Sequence, residues 1–149
     1  FGVHGSYVAA SPEEARARIS DPGFDAMSEV VFEIAPSVLY DDSTRHRSRV
    51  TIESYRLNEI RMSAESEADG YLVLSEVWYP GWKAFVDGAE TPVLQANWCL
   101  RALPLAAGKH TVTVEFSPSS FRTGACVSSL TLALSIAGVV YFGRKKDKV

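Results

Sequence analysis

Residues 71–91 read YLVLSEVWYPGWKAFVDGAET. The stretch Tyr71 to Tyr79 has the apolar content and length of a central, buried strand. Tyr79, Pro80 and Gly81 break it, since Pro cannot continue a ladder and Gly lets the chain bend. Trp82 to Val86 resumes an extended segment. Asp87-Gly88 is then a short-range hairpin signal, because both central residues of the favoured two-residue turn need positive φ.

The same period of two continues on both sides. Residues 49–66, RVTIESYRLNEIRMSAES, alternate as a pair of strands with a break near Leu57 and Asn58. Downstream, NWCLRALPL (97–105) and HTVTVEFSP (110–118) are two more strands, separated by the turn Ala106-Ala107-Gly108-Lys109. Upstream, FGVHGSYVAA predicts a first strand ending near Ala10. Ser11, Pro12 and Glu14 then mark a helix start with a cap, a Pro in the first turn and a Glu three residues after the cap. That helix, Pro12 to Ile19, stops before Asp21-Pro22-Gly23. EVVFEI (29–34) is a short buried strand, and Pro36 to Ser48 is a polar loop without periodicity. Seven or eight short strands with one short N-terminal helix predict a mainly β fold, a jelly-roll-like β-sandwich.

The C-terminal part differs in kind. Thr123 to Phe142, TGACVSSLTLALSIAGVVYF, holds twenty residues without a formal charge. At roughly 1.5 Å per residue that is about 30 Å, the thickness of a bilayer's hydrocarbon core. Arg144, Lys145, Lys146 and Lys148 follow against the single anion Asp147, whereas residues 1–122 carry eleven cations and seventeen anions. Basic flanks stay in the cytoplasm, which places the C-terminus inside and residues 1–122 outside. The expected domains are therefore an extracytoplasmic sandwich (1–122), a single C-terminal transmembrane helix (123–142) and a basic cytoplasmic tail (143–149). The alternative is a buried core helix of a soluble sandwich. Gly124, Ser128, Thr131, Ser135 and Gly138 fall in one helical stripe, the kind of surface that lets further membrane helices approach. The six residues SPSSFR (117–122) tether the sandwich near the bilayer surface. Beginning at Phe1 with neither an initiator Met nor an export signal, the sequence is expected to be the C-terminal fragment of a longer membrane protein.

A net charge of -3 supplies no field for nucleic acid. Two cysteines do not make a disulfide scaffold, and with three scattered histidines they do not make a zinc site. His4, His46 and His110 are expected to be ordinary surface or strand residues, and Cys99 and Cys126 small apolar fillers. No nucleophile elbow, phosphate loop or HExxH motif occurs, so neither catalytic residues nor a cofactor are expected in this chain.

The block WYPGWKAFVDG, the following strand pair with Arg101 and Pro104, the turn Ala107-Gly108-Lys109-His110 and SPSSFRTG leading into the apolar stretch resemble the C-terminal end of the bacterial YfhO family. The upstream SPEEARARISDPGFDAMSEVVFE is similar to the family's segment before its sandwich, so the likeness covers nearly the whole chain. The resemblance implies a polytopic protein of the cytoplasmic membrane related to lipid-linked-sugar glycosyltransferases of the GT-C type. Some members of the family are implicated in adding sugars to envelope polymers such as lipoteichoic acid. It further implies that catalytic carboxylates lie in outer loops upstream of Phe1, the present domain being an accessory one. Expected partners are the bilayer, upstream transmembrane helices of the same protein, and a glycan or lipid-linked sugar.

Within this frame Trp78, Tyr79, Trp82 and Trp98 form a candidate sugar-stacking platform, with Lys83 and Arg101 as polar contacts. The bland readings are that the rings fill the core and that Lys83, Asp87, Glu90 and Arg101 sit on a solvated face. Arg45, His46, Arg47 and Arg49 form a local basic cluster suited to lipid phosphates, balanced by Asp41 and Asp42. The expected function is non-catalytic handling of a glycan or polymer acceptor. The alternative is a single-span surface carbohydrate-binding or adhesion module.

Overall fold

The computed structural model describes residues 1–40 and 46–146, with side chains as far as residue 138. Asp41, Asp42 and Arg45, and the charges of the basic tail, lie outside the described side chains. The chain divides into two units, Phe1–Phe116 and a second beginning at Ser117.

The first unit holds β1 (Gly2–Val3), β2 (Gly5–Val8), α1 (Pro12–Ser20), β3 (Glu29–Phe32), β4 (Ser48–Arg56), β5 (Glu59–Ser66), β6 (Gly70–Val77), β7 (Trp82–Val86), β8 (Ala89–Thr91), β9 (Leu94–Ala96), β10 (Leu100–Leu105) and β11 (Gly108–Phe116). A four-stranded antiparallel sheet, β1-β6-β10-β9, faces a five-stranded one, β4-β5-β11-β7-β8. Between them pack Ile60, Met62 and Ala64 of β5, Leu72 of β6, Leu103 and Leu105 of β10, and Val112 and Val114 of β11. Each such aliphatic side chain, fully buried, contributes about 1.5–3 kcal/mol. The expected sandwich is therefore present.

A further layer was not legible. The parallel pair β2–β3 covers the other face of the four-stranded sheet, burying Val30 and Phe32 against Tyr71, Val73 and Ala102. α1 packs in turn on that pair through Ala15, near Ala9 and Val31. β10 and the first half of β6, Gly70–Val73, are thus covered on both faces.

Local chemistry explains most boundaries. Glu14 N donates to Ser11 Oγ at 3.2 Å, and the Glu14 carboxylate accepts from Ala10 N at 2.6 Å and from the Tyr7 hydroxyl. Those donors hold the Glu14 carboxyl below its ordinary pKa, the Tyr7 hydroxyl contributing most. Asp87 and Gly88 take φ values of 51° and 82°, the geometry the hairpin signal demands. The break at Leu57-Asn58 stands where expected, between β4 and β5.

Four expectations are corrected. The single first strand is two, in different sheets, because the chain crosses at His4, which is buried with Nδ1 3.0 Å from Asp69 O. The strand expected from Asn97 begins only at Leu100, since Asn97 and Trp98 turn the chain with φ of 45° and 73°. Cys99 lies in a turn and is exposed rather than an apolar filler of a strand. The linker SPSSFR is shorter than expected: α2 (Ser119–Lys146) begins after Ser117 and Pro118 alone.

In the second unit α2 is long and apolar enough to cross a membrane over Ser119–Gly138, and none of that window is buried. Thr131 Oγ1 donates to Val127 O and Ser135 Oγ to Thr131 O, both at 2.9 Å, so these hydroxyls are satisfied within the helix.

Candidate functional site

Strand parity brings the site together. On β6, Leu72 faces the inter-sheet core, and two and four residues on, Leu74 and Glu76 share its side. On β10, Arg101 shares the side of Leu103 and Leu105, and its Cα partner on β6 is Leu74. Across the sandwich, β7 directs Trp82 and Ala84 at the same space. The five-stranded sheet closes over that side, so Arg101 is only 1% exposed. This overturns the solvated-face reading of Arg101.

The buried guanidinium is held on two sides. Its Nη2 forms an ion pair with Glu76 Oε2, and its Cζ lies 3.9 Å from the Trp82 ring centroid. A flat, delocalised cation over an indole face keeps part of its charge stabilisation after losing water. Burial nonetheless lowers the Arg101 pKa, and Nε and Nη1 have no hydrogen-bond partner among the described residues.

Tyr55 completes the cluster. β4 is an edge strand whose register slips between Ile52 and Ser54. That bulge sets Ile52 opposite Met62 and Tyr55 opposite Ile60, so both lie on the core-facing side of the edge strand although they are three positions apart, and both stay exposed there. The Tyr55 hydroxyl then donates to Glu76 Oε1 at 2.5 Å. A cleft of about 350 Å³ opens here between β4 and β6, with Val50, Ile52, Ile60, Met62 and Leu74 as its apolar wall and Tyr55, Ser75 and Glu76 at its polar rim. Glu76 keeps 30% of its side chain exposed, so one carboxylate serves both the buried cation and the open cleft. Such a site accepts hydrogen bonds from hydroxyl groups beside an apolar surface.

The six residues singled out from the sequence are not one surface. Trp82 and Arg101 are stacked on each other, and Trp82 also packs on Phe116 with centroids 5.0 Å apart. Trp78 is half-buried, its Nε1 donating to Val93 O at 3.3 Å. Tyr79 is exposed beside Phe116, and Lys83 lies 3.6 Å from Glu90. Trp98 instead lies under Arg16 of α1, whose Cζ is 4.5 Å from its ring. Tyr55 and Glu76 were missed. The apolar spacing Val50, Ile52, Tyr55, two and then three, was the available sign of a bulge.

A second polar cluster lies at the β7–β8 turn. Asp87 accepts from Thr111 N at 2.8 Å and lies 2.7 Å from His110 Nδ1. The carboxylate raises the His110 pKa, and the imidazole, with the Thr111 amide, lowers that of Asp87. His110, a residue of β11, is thus paired with Asp87.

Tyr55, Glu76, Trp82 and Arg101 all fall within residues 39–128, which match the profile of the family described as bacterial membrane protein YfhO, over more than half of the chain. The chain belongs to the YfhO family. It is accordingly a membrane protein, and α2 is the candidate span of this YfhO chain. The YfhO match also takes in the WYPGW block and the start of α2. No curated protein and no solved structure matches the chain.

Proposed function

We propose that residues 1–116 form a non-catalytic, extracytoplasmic domain of a longer YfhO protein, anchored by α2 with the C-terminus in the cytoplasm. The domain handles the glycan or polymer acceptor of a lipid-linked-sugar glycosyltransferase. One observation carries the acceptor reading: Tyr55 and Glu76 present polar atoms at the rim of an apolar cleft and are braced from behind by Arg101. A sugar ring has the matching chemistry, with hydroxyls at its edge and C–H groups on its faces. Four cations directly after Phe142 support the topology.

Sidedness is tested at Cys99, which is exposed. A membrane-impermeant maleimide added to intact spheroplasts should label the chain, and Cys99→Ser should remove the label. Labelling only after permeabilisation would reverse the topology. For acceptor handling, the chain in nanodiscs is titrated with glycerol-phosphate and hexose oligomers while tryptophan emission is followed. A saturable change weakened at least tenfold by Glu76→Gln or Tyr55→Phe is expected; no saturable change with either oligomer class refutes the acceptor role.

A further inference from the structure

Three pieces of backbone meet at one end of the sandwich: the β4–β5 turn at Leu57-Asn58, the β6–β7 turn from Trp78 to Gly81, and the end of β11 at Phe116. They are tied together. Phe116 N donates to Asn58 O at 2.9 Å, Phe116 pairs with Trp82 in the ladder, and the Tyr79 and Phe116 rings have centroids 6.3 Å apart. Leu57 is 94% exposed and Tyr79 62%, with Val77 and Tyr55 also exposed close by. The turns at the opposite end carry Asp87, Gly88, Ala106, Ala107 and Lys109 instead.

One exposed leucine is ordinary on a soluble domain, but Leu57, Tyr55, Val77 and Tyr79 together expose apolar side chains at one end, the kind of surface that marks a protein or membrane contact. The chain supplies the missing environment. It leaves the sandwich at Phe116, and after Ser117 and Pro118 the apolar helix begins. Extended residues span at most about 3.6 Å each and helical ones about 1.5 Å, so the uncharged stretch that begins at Thr123 starts within about 17 Å of Phe116. The headgroup layer is roughly 5–8 Å deep on each side of the hydrocarbon. We propose that the Leu57 and Tyr79 turns are seated in the bilayer headgroup layer, with Leu57 reaching towards the acyl chains and the Tyr79 ring lying at the interface, as amphipathic aromatics do. The proposal rests on α2 as a span and not on the acceptor reading.

The test uses the full chain in nanodiscs with Cys99→Ser and Cys126→Ser, and one new cysteine carrying an environment-sensitive nitrobenzoxadiazole label. Leu57→Cys and Tyr79→Cys report on this end and Ala107→Cys on the other. Both positions on this end are solvent-facing, so the fold should tolerate them. Blue-shifted emission, quenched several-fold more strongly at 57 and 79 than at 107 by headgroup-region nitroxide lipids, is expected. Water-like emission at all three positions in an inserted chain overturns the proposal alone. Blue-shifted emission without lipid quenching means a protein surface covers the tip and overturns it as well. A chain that stays outside the disc overturns both the proposal and the span.

Discussion

The guanidinium of Arg101 lies 3.9 Å from the centre of the Trp82 ring, inside the sandwich, with Glu76 as its ion-pair partner. The two partners differ in access to water, and that asymmetry has a measurable consequence. Glu76→Ala strands a cation that is 1% exposed and should cost about 3–5 kcal/mol. Arg101→Met leaves a carboxylate that water already reaches and should cost less, roughly 1–2 kcal/mol. Urea unfolding followed by tryptophan emission measures both; equal losses would contradict this account.

Asn97 joins the β9–β10 turn to the layer beneath it. Its Oδ1 accepts from Val31 N and its own N donates to Val31 O, both at 2.8 Å. Asn97→Ala leaves the Val31 amide buried and unpaired, and loses a residue type tolerant of φ 45°. A destabilisation of roughly 1–3 kcal/mol is expected, with Asn97→Asp milder because it restores the acceptor. Amide exchange at Val31 gives a local readout: it should quicken in the Ala variant and not in the Asp one.

Two glycines are predicted to separate cleanly. A Cβ on Gly70 would lie 2.3 Å from Val3 O, an overlap that forces β1 away from β6. A Cβ on Gly88 meets nothing within 4 Å, so only its φ of 82° opposes a side chain. Gly88→Ala should cost about 1–2 kcal/mol, whereas Gly70→Ala should disrupt the β1–β6 pairing outright. Comparable thermal midpoints for the two variants would refute the assignment.

The His110–Asp87 pair makes stability depend on pH. The folded His110 pKa is raised above the ordinary 6.5, so its contribution is complete below that value and fades as pH climbs through the folded pKa. The folded Asp87 pKa is lowered from 3.8, so its contribution is present above that value and fades as pH drops through the folded pKa. The urea midpoint should therefore fall as pH rises above about 6.5. Asp87→Asn should flatten that fall; an unchanged slope would show that another group titrates.

Much of this protein is local and therefore written along the chain. Alternation located β4 and β5, Asp87-Gly88 located their counterpart hairpin, Ser11 to Glu14 located α1, and an uncharged stretch of helix-spanning length located α2, because each depends on neighbours within a few positions. Arg101 shows where that ends. Its position in β10 gave its side of the strand, but only the stacking of β2–β3 on one face and the five-stranded sheet on the other removed any solvent side. Tyr55, Glu76 and Trp82 reach it from three other strands, one of them through a bulge. Which strands become neighbours is settled by burial of whole sheet faces, a property of the assembled layers that no single segment carries.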